Sequence, residues 1–189
     1  SPLPAPSPPP ADAEKTVVDQ TASRIYVNPV GGLLFDPVEA DRGDYKGVLN
    51  AIDAETADMM LNGKDWSMQE KVDGVRFMLE SKGGKLRGYN RRGAEVAVPN
   101  DVRDFLKDVE GDFTLDGELV GDVLHCFDLV DAGKGFSERF RELCALLPVK
   151  LGSGVRVVST ADTRDDKRRL YNSVVEMKGE GVVFKRKDA

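Results

Sequence analysis

The stretch Glu70-Lys71-Val72-Asp73-Gly74-Val75-Arg76 holds the residues of this chain best suited to chemistry. It sets a lysine amine at the end of a predicted strand, then a glycine that lets the backbone turn close to a ligand, then an arginine. Read alone, the same residues also make an ordinary Lys–Asp turn on a hairpin. Side-chain alternation along strands adds detail. Gln69 and Lys71 point to one face and Glu70 to the other. Asp116 and Glu118 share a face that Leu115 and Leu119 do not, and His125 shares a face with Phe127.

These residues need a scaffold, and the hydrophobic pattern outlines one. Residues 66–71 and 74–81 read as strands, with Gly83-Gly84 turning the chain into 85–90. Residues 113–120, the Gly121-Asp122 turn and 123–130 make a second hairpin. Residues 155–159 and 181–187 also read as strands. Helices are expected over 45–61, over 101–109 with Asn100 as cap, and from Ser137 as cap to Leu147, where Pro148 ends the run. A polar helix over about 162–177 presents Leu170, Val174 and Met177 as its inward stripe. Arg24–Val27 fits a short strand and Gly31-Gly32 a turn. Helices and hairpins mix without regular strand–helix alternation. That predicts an α+β fold with antiparallel sheets flanked by helices, not a doubly wound parallel sheet.

The chain has 189 residues, 40% of them hydrophobic, enough for one domain with a real core. Residues 1–36 are a lead-in, Pro-, Ala- and Ser-rich over the first 14 and expected to be extended or disordered there; residues 37–189 are the domain. No apolar run approaches the roughly 20 residues that span a bilayer. The start, SPLPAPSPPPADAEK, has neither a basic segment nor an apolar one and does not read as a secretory signal. A net charge of -6 argues against a protein that coats nucleic acid indiscriminately, but local clusters remain at Arg87, Arg91 and Arg92, at Lys167 to Arg169 and at Lys185 to Lys187. Each cluster suits nucleic-acid phosphates or, more plainly, a solvated face. Cys126 and Cys144 are too few for a zinc site and are expected as reduced thiols. The expected location is the cytoplasm, or the nucleoid of a bacterium.

The segment KVDGVR at 71–76 resembles motif I, KxDGxR, of the lysine-dependent nucleotidyltransferases: DNA ligases, RNA ligases and mRNA capping enzymes. Four more segments follow in that family's order. GYNRRG at 88–93 resembles motif Ia, FTLDGEL at 113–119 motif III, Phe127-Asp128 motif IIIa and EGVVFK at 180–185 motif IV. The resemblance covers residues 65–189, and the run EGVVFKRKDA looks more like DNA ligases than the other branches.

What the resemblance implies is an adenylation site. Lys71 attacks the α-phosphate of ATP and forms lysyl-AMP with loss of pyrophosphate; AMP then passes to the 5′-phosphate of a nick in double-stranded DNA. A free lysine, with a pKa of roughly 10.4, is a poor nucleophile at neutral pH, so nearby cations and desolvation must lower it. By the same resemblance, Arg76 and Arg92 contact the ribose and phosphate of AMP. Arg91 and Arg92 meet the DNA, and Glu118 holds a ribose hydroxyl or sits near a metal. Phe127 stacks on adenine, Gln69 reads the adenine edge, and Glu70 and Lys185 complete the nucleotide site. The family uses Mg²⁺ or Mn²⁺, and Glu118 and Glu180 are hard oxygen ligands of the right kind. Asp73 is expected to bond its own turn, and His125, which lysyl chemistry does not need, to be structural.

The family also has a motif V with two lysines and a following oligonucleotide-binding (OB-fold) domain, and the sequence stops at Ala189 before either. A fragment is the expected explanation, with a split enzyme completed by a C-terminal partner, or a homologue that binds nucleotide or DNA without catalysis, as the others. RNA ligase and GTP-using capping enzyme are the rival activities.

Overall fold

The computed structural model describes residues 24–27, 37–40, 49–51, 60–147 and 153–189, and the Gly31-Gly32 turn and most of the lead-in lie outside them. Among the described residues, twelve strands form two sheets. The first contains β1 (Arg24–Val27), β2 (Pro37–Ala40), β3 (Leu49–Ala51), β4 (Trp66–Lys71), β11 (Thr160–Ala161) and β12 (Gly181–Arg186), in the order β11-β4-β12-β1-β2-β3. The second contains β5 (Val75–Lys82), β6 (Lys85–Tyr89), β7 (Glu95–Val96), β8 (Phe113–Val120), β9 (Val123–Leu129) and β10 (Val155–Val157), in the order β10-β9-β8-β5-β6-β7. Among the described residues the helices of a turn or more are α1 (Asn100–Leu106), α2 (Phe136–Leu146) and α3 (Arg164–Glu176). The fold is α+β as expected. All strand pairs are antiparallel except β9–β10, which is parallel.

The two-residue period of the strands sorts each sheet into an apolar face and a polar one. On β4, Trp66 and Met68 join Val182 and Phe184 of β12 and pack against Tyr171 and Val174 of α3. On the second sheet Phe77, Leu79, Leu115, Leu124 and Cys126 pack with Val102, Phe105 and Leu106 of α1 and Leu143 of α2. Burial of Cys126 among these side chains pushes its thiol pKa well up, so it behaves as a small apolar residue. The alternate positions, Ser67, Gln69, Lys71 and Lys185 on one sheet and Arg76, Asp116, Glu118, His125 and Phe127 on the other, are left for a cleft between the sheets.

Tight turns fix the registers. Gly83 and Gly84 have φ of 58° and 78°, the two left-handed residues that a short hairpin turn needs. At Gly74 and Gly117 the constraint is close approach: a Cβ there would lie 2.3 Å from the Leu119 carbonyl oxygen and 2.4 Å from that of His125. A register shift between Asp116 and Gly117 leaves Phe127 without a partner on β8.

Several local expectations are corrected. Residues 49–51, read as part of a helix over 45–61, form β3 through pairing with β2; tertiary pairing overrides a loose helical period. The first helix starts one residue and the second two residues earlier than expected, after Pro99 and Gly135, so neither Asn100 nor Ser137 is the cap. The inward stripe of α3 is Lys167, Tyr171 and Val174 with Leu170 packed beside them, so of the expected stripe only Met177, 64% exposed, is misplaced. Thr163 caps α3 by accepting from the Asp166 amide at 3.2 Å.

Lys167 is therefore not part of a basic surface. Its side chain is fully buried, and its ammonium donates to the carbonyls of Met60 at 3.0 Å and Gly63 at 2.9 Å. Burial, reinforced by Lys187, lowers its pKa from 10.5 to about 8. Between those values the unfolded chain binds the proton and the folded one does not, so stability rises with pH across that window. Thermal unfolding of wild type and Lys167→Met is expected to show this rise as a difference between the two between pH 8 and 10.5. Parallel curves over that window would mean that the ammonium is better solvated than its burial implies.

Candidate active site

Lys71 ends β4 and sits opposite Gly181 of β12, which brings Glu180 beside it. The amine donates to Glu180 Oε1 at 2.6 Å. Val72, Asp73 and Gly74 then carry the chain across to β5 in the other sheet. Lys71, Val72 and Asp73 line two adjoining cavities, so the amine stands where they meet.

The first cavity, about 490 Å³, is also lined by Arg76, Asn90, Arg91, Arg92 and Glu118. Arg91 and Arg92 lie in a turn that Asn90 organises, its Oδ1 accepting from the amides of Arg92 and Ala94 at 3.0 Å each. Gly93, at φ 79°, closes that turn. Arg76 is held by a two-pronged contact with Asp116, Nε to Oδ1 at 2.6 Å and Nη2 to Oδ2 at 2.5 Å. Glu118, the neighbour of Arg76 on β8, has its pKa raised from 4.5 to about 7. Burial is the main cause; Lys71 and Arg76 oppose it, and the charges of Asp116 and Glu180 add to it.

The second cavity, about 670 Å³, is lined by Glu70 and Glu180 from the first sheet, His125 and Arg156 from the second, the 157–159 crossing and Lys178. Burial and Arg156 together hold the His125 imidazole below its usual range.

Two residues back along β4 from the amine lies a buried polar group. Gln69 is 1% exposed; its Nε2 donates to the Phe127 carbonyl at 3.1 Å and to Thr160 Oγ1 at 3.0 Å, while its Oε1 accepts no hydrogen bond. Lys185, buried like Gln69, places Nζ 4.4 Å from the centre of the Phe127 ring, and the Arg76 guanidinium lies 5.3 Å from it. Lys185 is thus an inward residue rather than part of a basic surface.

The sequence-predicted residues converge on this cleft. Lys71, Arg76, Arg91, Arg92 and Glu118 share the first cavity; Glu70 and Glu180 share the second with Lys71. Gln69, Phe127 and Lys185 form the buried group behind them. Asp73 is exposed and lines both cavities, and no side-chain bond to its own turn is made. Asp116, whose role the sequence leaves open, turns out to clamp Arg76. Arg156 and Lys178 carried no motif signal at all.

The sequence matches no protein-family model, and no curated protein matches it. The fold does have relatives among solved structures. The ligase domain of LigD from M. tuberculosis gives a TM-score of 0.54 at 20% identity, over 68% of this chain and 50% of that one. A mycobacterial DNA ligase D complexed with ATP and MES gives 0.51 at 19% identity over the same shares, 68% and 50%. A Lig E DNA ligase gives 0.51 at 20%, over 68% of this chain and 57% of that one. This is the fold of an ATP-dependent DNA ligase domain. The ligase fold found here spans about half the length of the relatives it matches. No helix among the described residues is long and apolar enough to cross a membrane.

Proposed function

We propose that the cleft is a lysine-dependent nucleotidyltransferase site of the DNA ligase type. The observation that carries this reading is the position of the Lys71 amine, at the junction of two cavities, between Glu118 on one side and Glu180 on the other, with a clamped arginine beside it. The amine lone pair attacks the α-phosphorus of ATP. A P–N bond forms, the bond from that phosphorus to the bridging oxygen breaks, pyrophosphate leaves with the electron pair, and the ammonium proton goes to solvent. An oxygen of the 5′-phosphate of nicked DNA then attacks the same phosphorus, the P–N bond breaks to return the lysine amine, and the AMP is left on the 5′ end, towards which Arg91 and Arg92 offer exposed side chains.

The donor set fits a divalent cation. Glu118 and Glu180 are carboxylates whose charges are felt at one another's position, and burial raises the energy of an ionised Glu118 that lacks a compensating charge. Among the described residues no group of three or more His, Cys, Asp or Glu converges, so phosphate and water oxygens would complete the shell, as is usual for Mg²⁺. Such an ion, Mg²⁺ or Mn²⁺, would offset charge on the phosphates. The chain's own residues do the rest. Arg76, positioned by Asp116, binds the phosphate or ribose. Lys185 and Phe127 shape the buried end of the site for the base. The unfilled acceptor of Gln69 suits the exocyclic amine of adenine, whereas guanine presents a carbonyl at the equivalent edge.

Intact-protein mass spectrometry tests the reading. Incubation with ATP and Mg²⁺ is expected to add one AMP to the wild type and none to Lys71→Ala, and GTP is expected to add nothing. ATP binding by folded wild-type protein without an adduct would favour the non-catalytic reading. Transfer from the adduct to nicked RNA in preference to nicked DNA would favour an RNA ligase.

A further inference from the structure

The second cavity holds cations that the adenylation reading does not use. Its walls come from different sheets. Lys71 and Glu180 belong to the β4–β12 side, and His125 and Arg156 to adjacent strands β9 and β10 of the other, where they are register partners. Lys178 reaches the same cavity from the turn after α3, and among the described residues it is the one non-glycine residue with a positive φ, 53°. A helix there usually ends on glycine, and a lysine held in that conformation is mildly strained. Glu180 is paired with Lys71, so Arg156 and Lys178 remain as positive charges on the wall; Glu70 and Asp73 at the rim suit a phosphate that arrives with a divalent cation.

Attack at phosphorus runs in line: the leaving oxygen lies on the far side of the phosphorus from the attacking nitrogen. With the nitrogen on Lys71, the far wall of this cavity is β9–β10. We propose that Arg156 and Lys178, with His125 beside them, form the subsite for the β- and γ-phosphates of the nucleotide and hold the pyrophosphate as it leaves. The assignment rests on the nucleotidyltransferase reading. It makes Arg156 a determinant of triphosphate over monophosphate binding, with no part in holding AMP itself.

Isothermal titration of the full chain with α,β-methylene-ATP and with AMP, both with Mg²⁺, tests it without requiring turnover. Wild type is expected to bind the triphosphate analogue at least about tenfold more tightly than AMP, the size of one charge-assisted contact. The Arg156→Met/Lys178→Met double variant should lose that preference while its AMP affinity stays within about twofold, and Arg156→Lys should recover part of it. Arg156 is exposed, so folding is not at stake. Equal losses for both nucleotides, or no loss for either, would overturn the subsite while leaving the adenylation reading intact. Failure of wild type to bind either nucleotide would overturn both. A third arm compares nicked duplexes bearing a 5′-phosphate or a 5′-hydroxyl. A defect confined to the phosphorylated nick would show that the subsite takes the acceptor phosphate instead, and the pyrophosphate assignment would fall.

Discussion

Asp116→Ala is expected to slow adenylation about 100-fold and to cost about 2–3 kcal/mol of stability, because it removes the two-pronged carboxylate contact that orients the largely buried Arg76 guanidinium. The pair bridges diagonal positions of β5 and β8, and Asp116 itself is 8% exposed. The two effects come apart in Asp116→Asn. The amide oxygen still accepts one hydrogen bond, so stability should recover more than rate, since a single contact lets the guanidinium rotate away from the phosphate. Single-turnover adduct formation and urea unfolding measure the two separately. An Asp116→Ala protein that adenylates at the wild-type rate would mean that Arg76 finds its place by packing on Phe127 alone.

Glu118→Gln is expected to do the opposite to stability while abolishing function. The folded state raises the Glu118 pKa from 4.5 to about 7, so folding favours its protonated form. Between those two values the native protein binds more protons than the unfolded one, and stability falls as pH rises through the window. Above pH 7 the full cost of the buried carboxylate is present. The glutamine never ionises, so the variant should be the more stable protein by about 1–2 kcal/mol at pH 8, after discounting for the solvent that reaches this half-buried group, and no more stable at pH 4. Adduct formation should drop by at least about 100-fold, because on the proposed reading the charge that costs stability is the one offered to the metal or ribose. A variant no more stable than wild type at pH 8 would show that Lys71 and Arg76 already compensate the carboxylate in the resting protein.

Much of the site was legible in the sequence because its residues sit on strands, where parity is rigid. Gln69 and Lys71 share a face, as do Asp116 and Glu118, and His125 and Phe127, and each pair faces the cleft because its alternates, Met68, Leu115 and Cys126, are apolar enough to be claimed by the helices. What was not legible depends on partners remote in sequence. Arg76 and Asp116 look like independent charges until β5 and β8 are paired. Lys167 reads as one of three basic surface residues, and only the carbonyls of residues 60 and 63 explain why it is buried. Arg156 and Lys178 carry no signature because their neighbours are assembled from β9, β10 and the end of α3. The helix read over 45–61 failed at 49–51 for a related reason: a three-residue strand has too few positions to show its own period, and pairing with β2 decides it.

The route of the chain through residues 71–75 has a mechanical consequence. β4 and β5 belong to different sheets, and the covalent joint between them is Val72, Asp73 and Gly74, with the amine-bearing residue immediately before it. The other crossing that borders the site, Val158-Ser159 between β10 and β11, lines the same cavity. Gly74 packs so closely against the Leu119 backbone that a side chain there has no room, which ties this end of the joint to β8. Lys71 therefore stands beside one covalent joint between the sheets, and Arg156 two residues before the other. A shift of one sheet against the other would move these two residues beside the joints less than Arg92, which lies in the 90–93 turn, so the cleft could widen on the Arg92 side while Lys71 kept its place.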